Sequence, residues 1–216
     1  MTVKIIEPIP VRGMAEPLLI GIAGLKHHGK DTTYLSYRRT YASPYFQQVL
    51  FAKGIKDAFA AMLRRAGYPT DIIKRLIYGD LKETMPLPEF GNKTSRVVQQ
   101  LLGTEFGRDM IDRALWVNLT FGKWDRLVLA GQRPLWVITD VRFHNERDEI
   151  YKRDGIVVRV FNPRVPVAND PHPSEAEIPH LKVSAEITND STKAALARDF
   201  AHIVQLKYAR LPEKRS

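Results

Sequence analysis

Gly24, Gly29 and Lys30, with four residues between the two glycines, form the pattern in this chain best suited to chemistry. Glycines let backbone N–H groups turn inward around phosphate oxygens, and a helix starting there adds roughly half a positive charge. A lysine at that helix start can reach the terminal phosphates of a nucleotide. The next residue is Asp31, with the hydroxyl one position later at Thr32, so whether this hydroxyl holds Mg²⁺ directly or only contacts phosphate stays open. His27 and His28 are adjacent, so their side chains diverge, and without cysteine or a nearby carboxylate they make a poor metal pair. Asp140 is the second candidate, ending the apolar run that starts at Leu135. A carboxylate there can serve the metal shell of a phosphate-transfer site, cap a helix starting at Arg142, or do both.

Such a loop works only between a buried strand and a helix. Leu18 to Gly24 is an apolar run of strand length that ends at glycine, and Leu25 to Thr33 leads on into a helix through Arg38. Further along, the pattern predicts a strand at Gln47 to Phe51, a helix from Ile55 to Ala66 and a short helix capped by Asp71. Gly79 to Asn92, with Pro86, Pro88 and Gly91, reads as an exposed loop of unusual length. Helical spacing resumes at Val97 to Leu102 and from Ile111 to Trp124. A strand from Leu135 to Asp140, a helix bearing Asn145, Asp148 and Lys152, and a strand at Ile156 to Phe161 follow. Asn162 to Pro179 should be irregular, Ala185 to Thr188 an edge strand, and Thr192 to Tyr208 an amphipathic helix. Alternating, near-continuously apolar strands and helices predict an α/β fold, a parallel sheet with helices on both faces.

The 216 residues suffice for a self-sufficient core, and the absence of cysteine excludes disulfide scaffolds, thiolate nucleophiles and thiolate-ligated zinc. No run is long enough to span a bilayer, and the start has prolines and charges where a signal peptide needs an apolar stretch, so a cytoplasmic location is expected. A formal charge of +9 and a pI near 9.7 favour anionic partners, either nucleic acid or phosphorylated small molecules.

Four ordered blocks resemble one family: Gly24-Leu-Lys-His-His-Gly-Lys-Asp-Thr32, Phe51-Ala-Lys-Gly-Ile-Lys-Asp-Ala-Phe59, Gln100-Leu-Leu-Gly-Thr-Glu-Phe-Gly-Arg108 and Thr139-Asp-Val-Arg-Phe-His-Asn-Glu146. They are similar to bacteriophage-type deoxynucleoside monophosphate kinases, with His172-Pro-Ser-Glu175 and Ile187-Thr-Asn-Asp190 extending the likeness. A weaker likeness reaches animal phosphomevalonate kinases. The resemblance implies a P-loop fold of the nucleoside-monophosphate-kinase kind over residues 18–216, preceded by an extension at 1–17 and carrying a lid or acceptor-binding insertion around 79–125. It implies transfer of the ATP γ-phosphoryl group to a deoxynucleoside 5′-monophosphate with Mg²⁺, and a homodimer.

By the same likeness, Gly24, Lys26, His28, Gly29, Lys30, Asp31, Thr32 and Thr33 would contact ATP, and Lys53, Lys56, Asp57 and Glu105 the acceptor. Arg108 and Arg142 would converge on the phosphates, and Thr32 and Asp140 would serve the metal. The chemistry agrees: a phosphate acceptor needs no general base, so positioning and positive charge dominate, and arginine offers phosphate a planar fork that lysine lacks. The rival readings are a P-loop kinase for another small acceptor and a nucleotide-dependent nucleic-acid-binding protein. Charge supports the second, but no aromatic-interleaved basic stripe or helix-turn-helix pattern does. Phe90, Phe106 and Trp116 are candidates to stack on a base.

Overall fold

The computed structural model describes residues 17–41, 46–166 and 177–209, so the expected extension at 1–17, save its last residue, and the His172 block lie outside the described residues. The chain divides into two compact units, Met1–Leu50 with Lys123–Ser216, and Phe51–Gly122.

The first unit is built on five parallel strands, β1 (Leu18–Ala23), β2 (Gln47–Val49), β5 (Leu135–Val141), β6 (Ile156–Phe161) and β7 (Ala185–Thr188), in the order β2-β5-β1-β6-β7. All six residues of β1 are buried, as a central strand covered on both faces requires. Leu18, Ile20 and Ile22 face α1 (Lys30–Thr40) and the last helix, α7 (Lys193–Ala209), in a core with Tyr34, Tyr37, Phe200 and Val204. Gly21 faces the other way, under α6 (His144–Lys152). A Cβ there would stand 2.7 Å from Ile150 Cδ1 and 2.9 Å from Val141 Cγ2, so close packing of helix on sheet demands the glycine. The register of β1 on β5 shifts between Gly21 and Ala23. Chain connections leave β1 and β5 toward opposite edges, so the carboxyl ends of these two strands form the switch point at which such sheets bind ligands.

The second unit contains α2 (Lys53–Arg65), α3 (Thr70–Tyr78), the short hairpin β3 (Pro86–Leu87) and β4 (Lys93–Thr94), and α4 (Ser95–Leu101). A π-helix follows at Leu102–Ile111, then the start of α5 (Leu115–Leu129). Here the structure corrects two expectations. Asp71 does not cap α3, which starts at Thr70 directly after an extended Pro69. The segment from Gly79 to Asn92 is largely exposed, as expected, but it is not a plain loop: it holds 3₁₀ turns at Asp80–Lys82 and Pro88–Phe90 and the strand β3. Leu87 is fully buried in a cluster with Phe59, Leu63, Leu76 and Val98, Phe90 meets Phe59 edge-on at 5.2 Å, and Arg75 pairs with Asp80 at 2.6 Å. The unit Phe51–Gly122 holds most of the span expected as an insertion, 79–125, and within it the apolar faces of α2 and α3 close on Leu87 and Val98.

A packed hairpin has a measurable signature. Leu87→Ala should destabilise the second unit by about 2–5 kcal/mol, the usual cost of a buried leucine. Hydrogen exchange at the amides of α3 and α4 checks this, and unchanged protection would restore the loop reading.

Candidate active site

The glycine loop lies where the sequence places it, between the buried end of β1 and the start of α1. Its backbone is far from ordinary: Gly24 has φ 154°, Gly29 φ 103° and the non-glycine His27 φ 66°. These left-handed turns let a short loop fold back over the helix start. Neither glycine could carry a side chain, since a Cβ on Gly24 would meet Val160 O at 2.5 Å and one on Gly29 would meet Asn189 Nδ2 at 2.4 Å. Lys30 Nζ donates to Gly24 O at 2.5 Å and Leu25 O at 2.8 Å, curling over its own loop.

Two residues expected among the ATP contacts have buried side chains. Thr33 is fully buried and its hydroxyl donates to Gly29 O at 2.9 Å, locking the loop to the helix. His28 is also buried, with Nδ1 accepting the Asn162 N–H at 3.2 Å and its ring 5.5 Å from that of Phe161. The left-handed turn at His27 produces this arrangement, leaving His27 exposed and directing His28 into the protein. Lys26 is half-buried, and Thr32 sits in the first turn of α1.

Asp31 is anchored by residues far away in sequence. Its Oδ1 accepts from Thr139 Oγ1 at 2.9 Å and from Gln48 Nε2 at 3.0 Å, and Gln48 Nε2 also donates to Thr139 Oγ1 at 2.8 Å. The carboxylate is thus oriented from the ends of β2 and β5. Asp140 follows Thr139 inside β5, four residues before α6 starts at His144, so the expected cap role and helix start at Arg142 are both corrected. Glu146 fills that role: its buried carboxylate accepts the N–H groups of Arg142 at 2.7 Å and Phe143 at 3.1 Å, while Glu177 accepts that of His144 at 3.0 Å. Two carboxylates therefore occupy the start of α6, and Arg142 carries positive charge just ahead of them.

In the second unit, Lys53 and Asp57 form an exposed pair at 2.8 Å, and Asp57 accordingly raises the lysine's pKa above its ordinary value. Lys56 Nζ sits 4.7 Å from the Tyr78 ring centroid, a cation–π contact. Glu105 and half-buried Arg108 ride on the π-helix. Two glycines set its shape. A Cβ on Gly103 would lie 2.8 Å from Ile55 Cδ1, and one on Gly107 would lie 2.6 Å from the Trp116 ring. Trp116 Nε1 donates to Gly103 O at 2.7 Å, and Asp112 N reaches Gly107 O at 3.0 Å in the wide i→i+5 pattern. Trp116 is therefore a wedge holding the helix, and Phe90, partly buried, packs against the core of this unit. Phe106, the third candidate to stack on a base, is 48% exposed.

Gln48, Thr139, Glu146 and Asn189 hold these parts in place, and none was identified as a site residue by sequence. Among the described residues no three His, Asp or Glu side chains gather as a metal cage, and no helix is long and apolar enough to cross a membrane. Mg²⁺ seldom needs such a cage, taking one or two protein oxygens beside phosphate and water.

The family model for deoxynucleotide monophosphate kinases matches residues 89–199, a stretch that includes Arg108, Asp140 and Arg142. A protein of Acanthamoeba polyphaga mimivirus described as a deoxynucleotide monophosphate kinase is 33% identical over 175 residues, covering 76% of this chain and 84% of its own length. A deoxynucleoside-5′-monophosphate kinase of Escherichia phage T5 is 30% identical over 101 residues, 44% of this chain and 38% of that protein. A shikimate kinase from Acinetobacter baumannii aligns over 92% of this chain and 97% of its own at 13% identity, with a TM-score of 0.41. A glycine loop and lysine between β1 and α1 of a parallel sheet make the fold P-loop kinase-like, and the family match with the mimivirus relative shows that the chain belongs to the deoxynucleotide monophosphate kinases, which transfer a phosphoryl group from ATP to a deoxynucleoside monophosphate.

Proposed function

We propose a division of labour for this transfer. Lys30 and the backbone amides between Gly24 and Thr32 hold the donor phosphates of ATP, with Lys26 and Asp31 at the loop's edges. Phosphate oxygens are stronger acceptors for an ammonium than the carbonyls of Gly24 and Leu25, so Lys30 exchanges those partners for the nucleotide. Lys53, Lys56, Asp57, Glu105 and Arg108 meet the deoxynucleoside monophosphate. Arg142 places its guanidinium against the transferring phosphoryl group. Thr32 and Asp140 would hold Mg²⁺, which when bound neutralises charge on the phosphates. A hydroxyl and a carboxylate are hard oxygen donors suited to that ion.

The observation that carries this reading is Lys30 at the start of α1, directly after a glycine loop bent by left-handed turns. No general base is required, because the acceptor is already a phosphate oxygen. A coupled assay with ATP and a panel of deoxynucleoside and nucleoside monophosphates, run beside mevalonate phosphate, tests it. ATP-dependent phosphorylation of one or more deoxynucleoside monophosphates is the expected result. Transfer to mevalonate phosphate alone, or ATP turnover driven by polynucleotide without any monophosphate, would overturn it. The homodimer implied by the family likeness belongs to the same reading, and sedimentation of the protein at assay concentration checks it.

A further inference from the structure

Just past the end of β7, Asn189 reaches the glycine loop from behind. Its backbone N–H donates to Phe161 O at 2.7 Å, carrying the β6–β7 ladder one residue further. Its side-chain Nδ2 donates to His28 O at 3.1 Å, across 161 residues of sequence. The same amide fills the space a Cβ on Gly29 would need. The segments after β6 and β7 are themselves tied together, since Arg164 Nη2 donates to Asp190 O at 2.6 Å and Arg164 N to Asn162 Oδ1 at 2.9 Å. Asn162 in turn donates its N–H to His28 Nδ1.

The consequence lies in one peptide plane. The bond between His28 and Gly29 is trans and planar, so the His28 carbonyl and the Gly29 N–H point in opposite directions. Fixing the carbonyl at the rear of the loop fixes the N–H at its front. We infer that Asn189 is a positioning residue of the phosphate loop: by holding His28 O, it aims the Gly29 N–H at the donor's β- and γ-phosphates before the nucleotide arrives. The gain is preorganisation, since a donor already aimed needs no reordering on binding. The inference rests on the assignment of the donor phosphates to the Gly24 to Thr32 loop.

Asn189→Asp keeps the shape and replaces the donor with an acceptor facing His28 O, and Asn189→Ala removes the contact. Both should bind inorganic tripolyphosphate and ATP about 10- to 100-fold more weakly, the usual effect of losing a hydrogen bond toward charge. The KM for the deoxynucleoside monophosphate should stay within about twofold, a split that general destabilisation would not produce. In the unsubstituted protein, the Gly29 amide resonance should be among the most shifted on titration with tripolyphosphate, a readout that does not depend on any variant folding. Unchanged tripolyphosphate affinity in both variants, an unmoved Gly29 amide, or parallel loss for both substrates would overturn the inference. Lys30→Ala separates the two levels of the argument. If it weakens tripolyphosphate binding while the Asn189 variants do not, only the role of Asn189 fails; if Lys30→Ala also leaves binding intact, the loop assignment fails.

Discussion

Lys30→Ala should lower phosphoryl transfer by roughly three powers of ten while leaving a folded protein, judged by the effect of deleting one preorganised charge-stabilising donor. In the proposed division of labour the lysine meets the charge that accumulates on the migrating phosphoryl group, and the Gly24 to Thr33 segment has one other lysine, Lys26, on the far side of His27 and His28. What the substitution removes from the fold is modest. Two half-buried hydrogen bonds to Gly24 O and Leu25 O are lost, each worth about 1 kcal/mol net, and the left-handed glycines and the Thr33 anchor remain. Steady-state turnover beside thermal unfolding reads both quantities. Near-normal turnover would remove Lys30 from the chemistry, and loss of cooperative unfolding would show it to be structural.

How far the sequence could be read depended on whether each feature is local. The loop and its flanks were legible because Leu18 to Lys30 is a single stretch, and a central parallel strand must be apolar at every position. The edge strand at Ala185–Thr188 was legible for a similar reason, being a short β-type run between polar segments. Burial of Leu87 was hidden, since flanking prolines report a broken backbone and say nothing about the helices that cover it. The inward turn of His28 was hidden too. Residue types give no side-chain direction, and here the direction follows from a positive φ at a non-glycine residue. Sequence signals for helix starts misplaced the cap because the position before α6 is Phe143, not a serine or threonine, and the cap is a glutamate reaching back from the third helical residue. Gln48, Thr139 and Asn189 act on the loop across 17, 108 and 161 residues, and no spacing rule spans such separations.

The geometry around Arg142 sharpens what its substitution should do. The amides at the start of α6 are already taken by Glu146 and Glu177, so the helix end offers little to a phosphate, and the guanidinium itself must supply the positive charge. Glu146 holds Arg142 through the backbone N–H, which any residue except proline retains. Arg142→Ala should therefore keep the α6 cap and change thermal stability little, while turnover falls by about 10²- to 10³-fold, as for loss of one charge-stabilising donor. Arg142→Lys keeps the charge and loses the planar fork, so it should show a smaller loss, still concentrated in kcat over the KM of either substrate. Such a pattern means that the contact tightens as charge shifts between donor and acceptor oxygens. Kinetics in which Arg142→Lys matches the unsubstituted protein, or in which ATP affinity alone suffers, would make Arg142 a binding residue and leave Arg108 as the arginine acting on the transferring group.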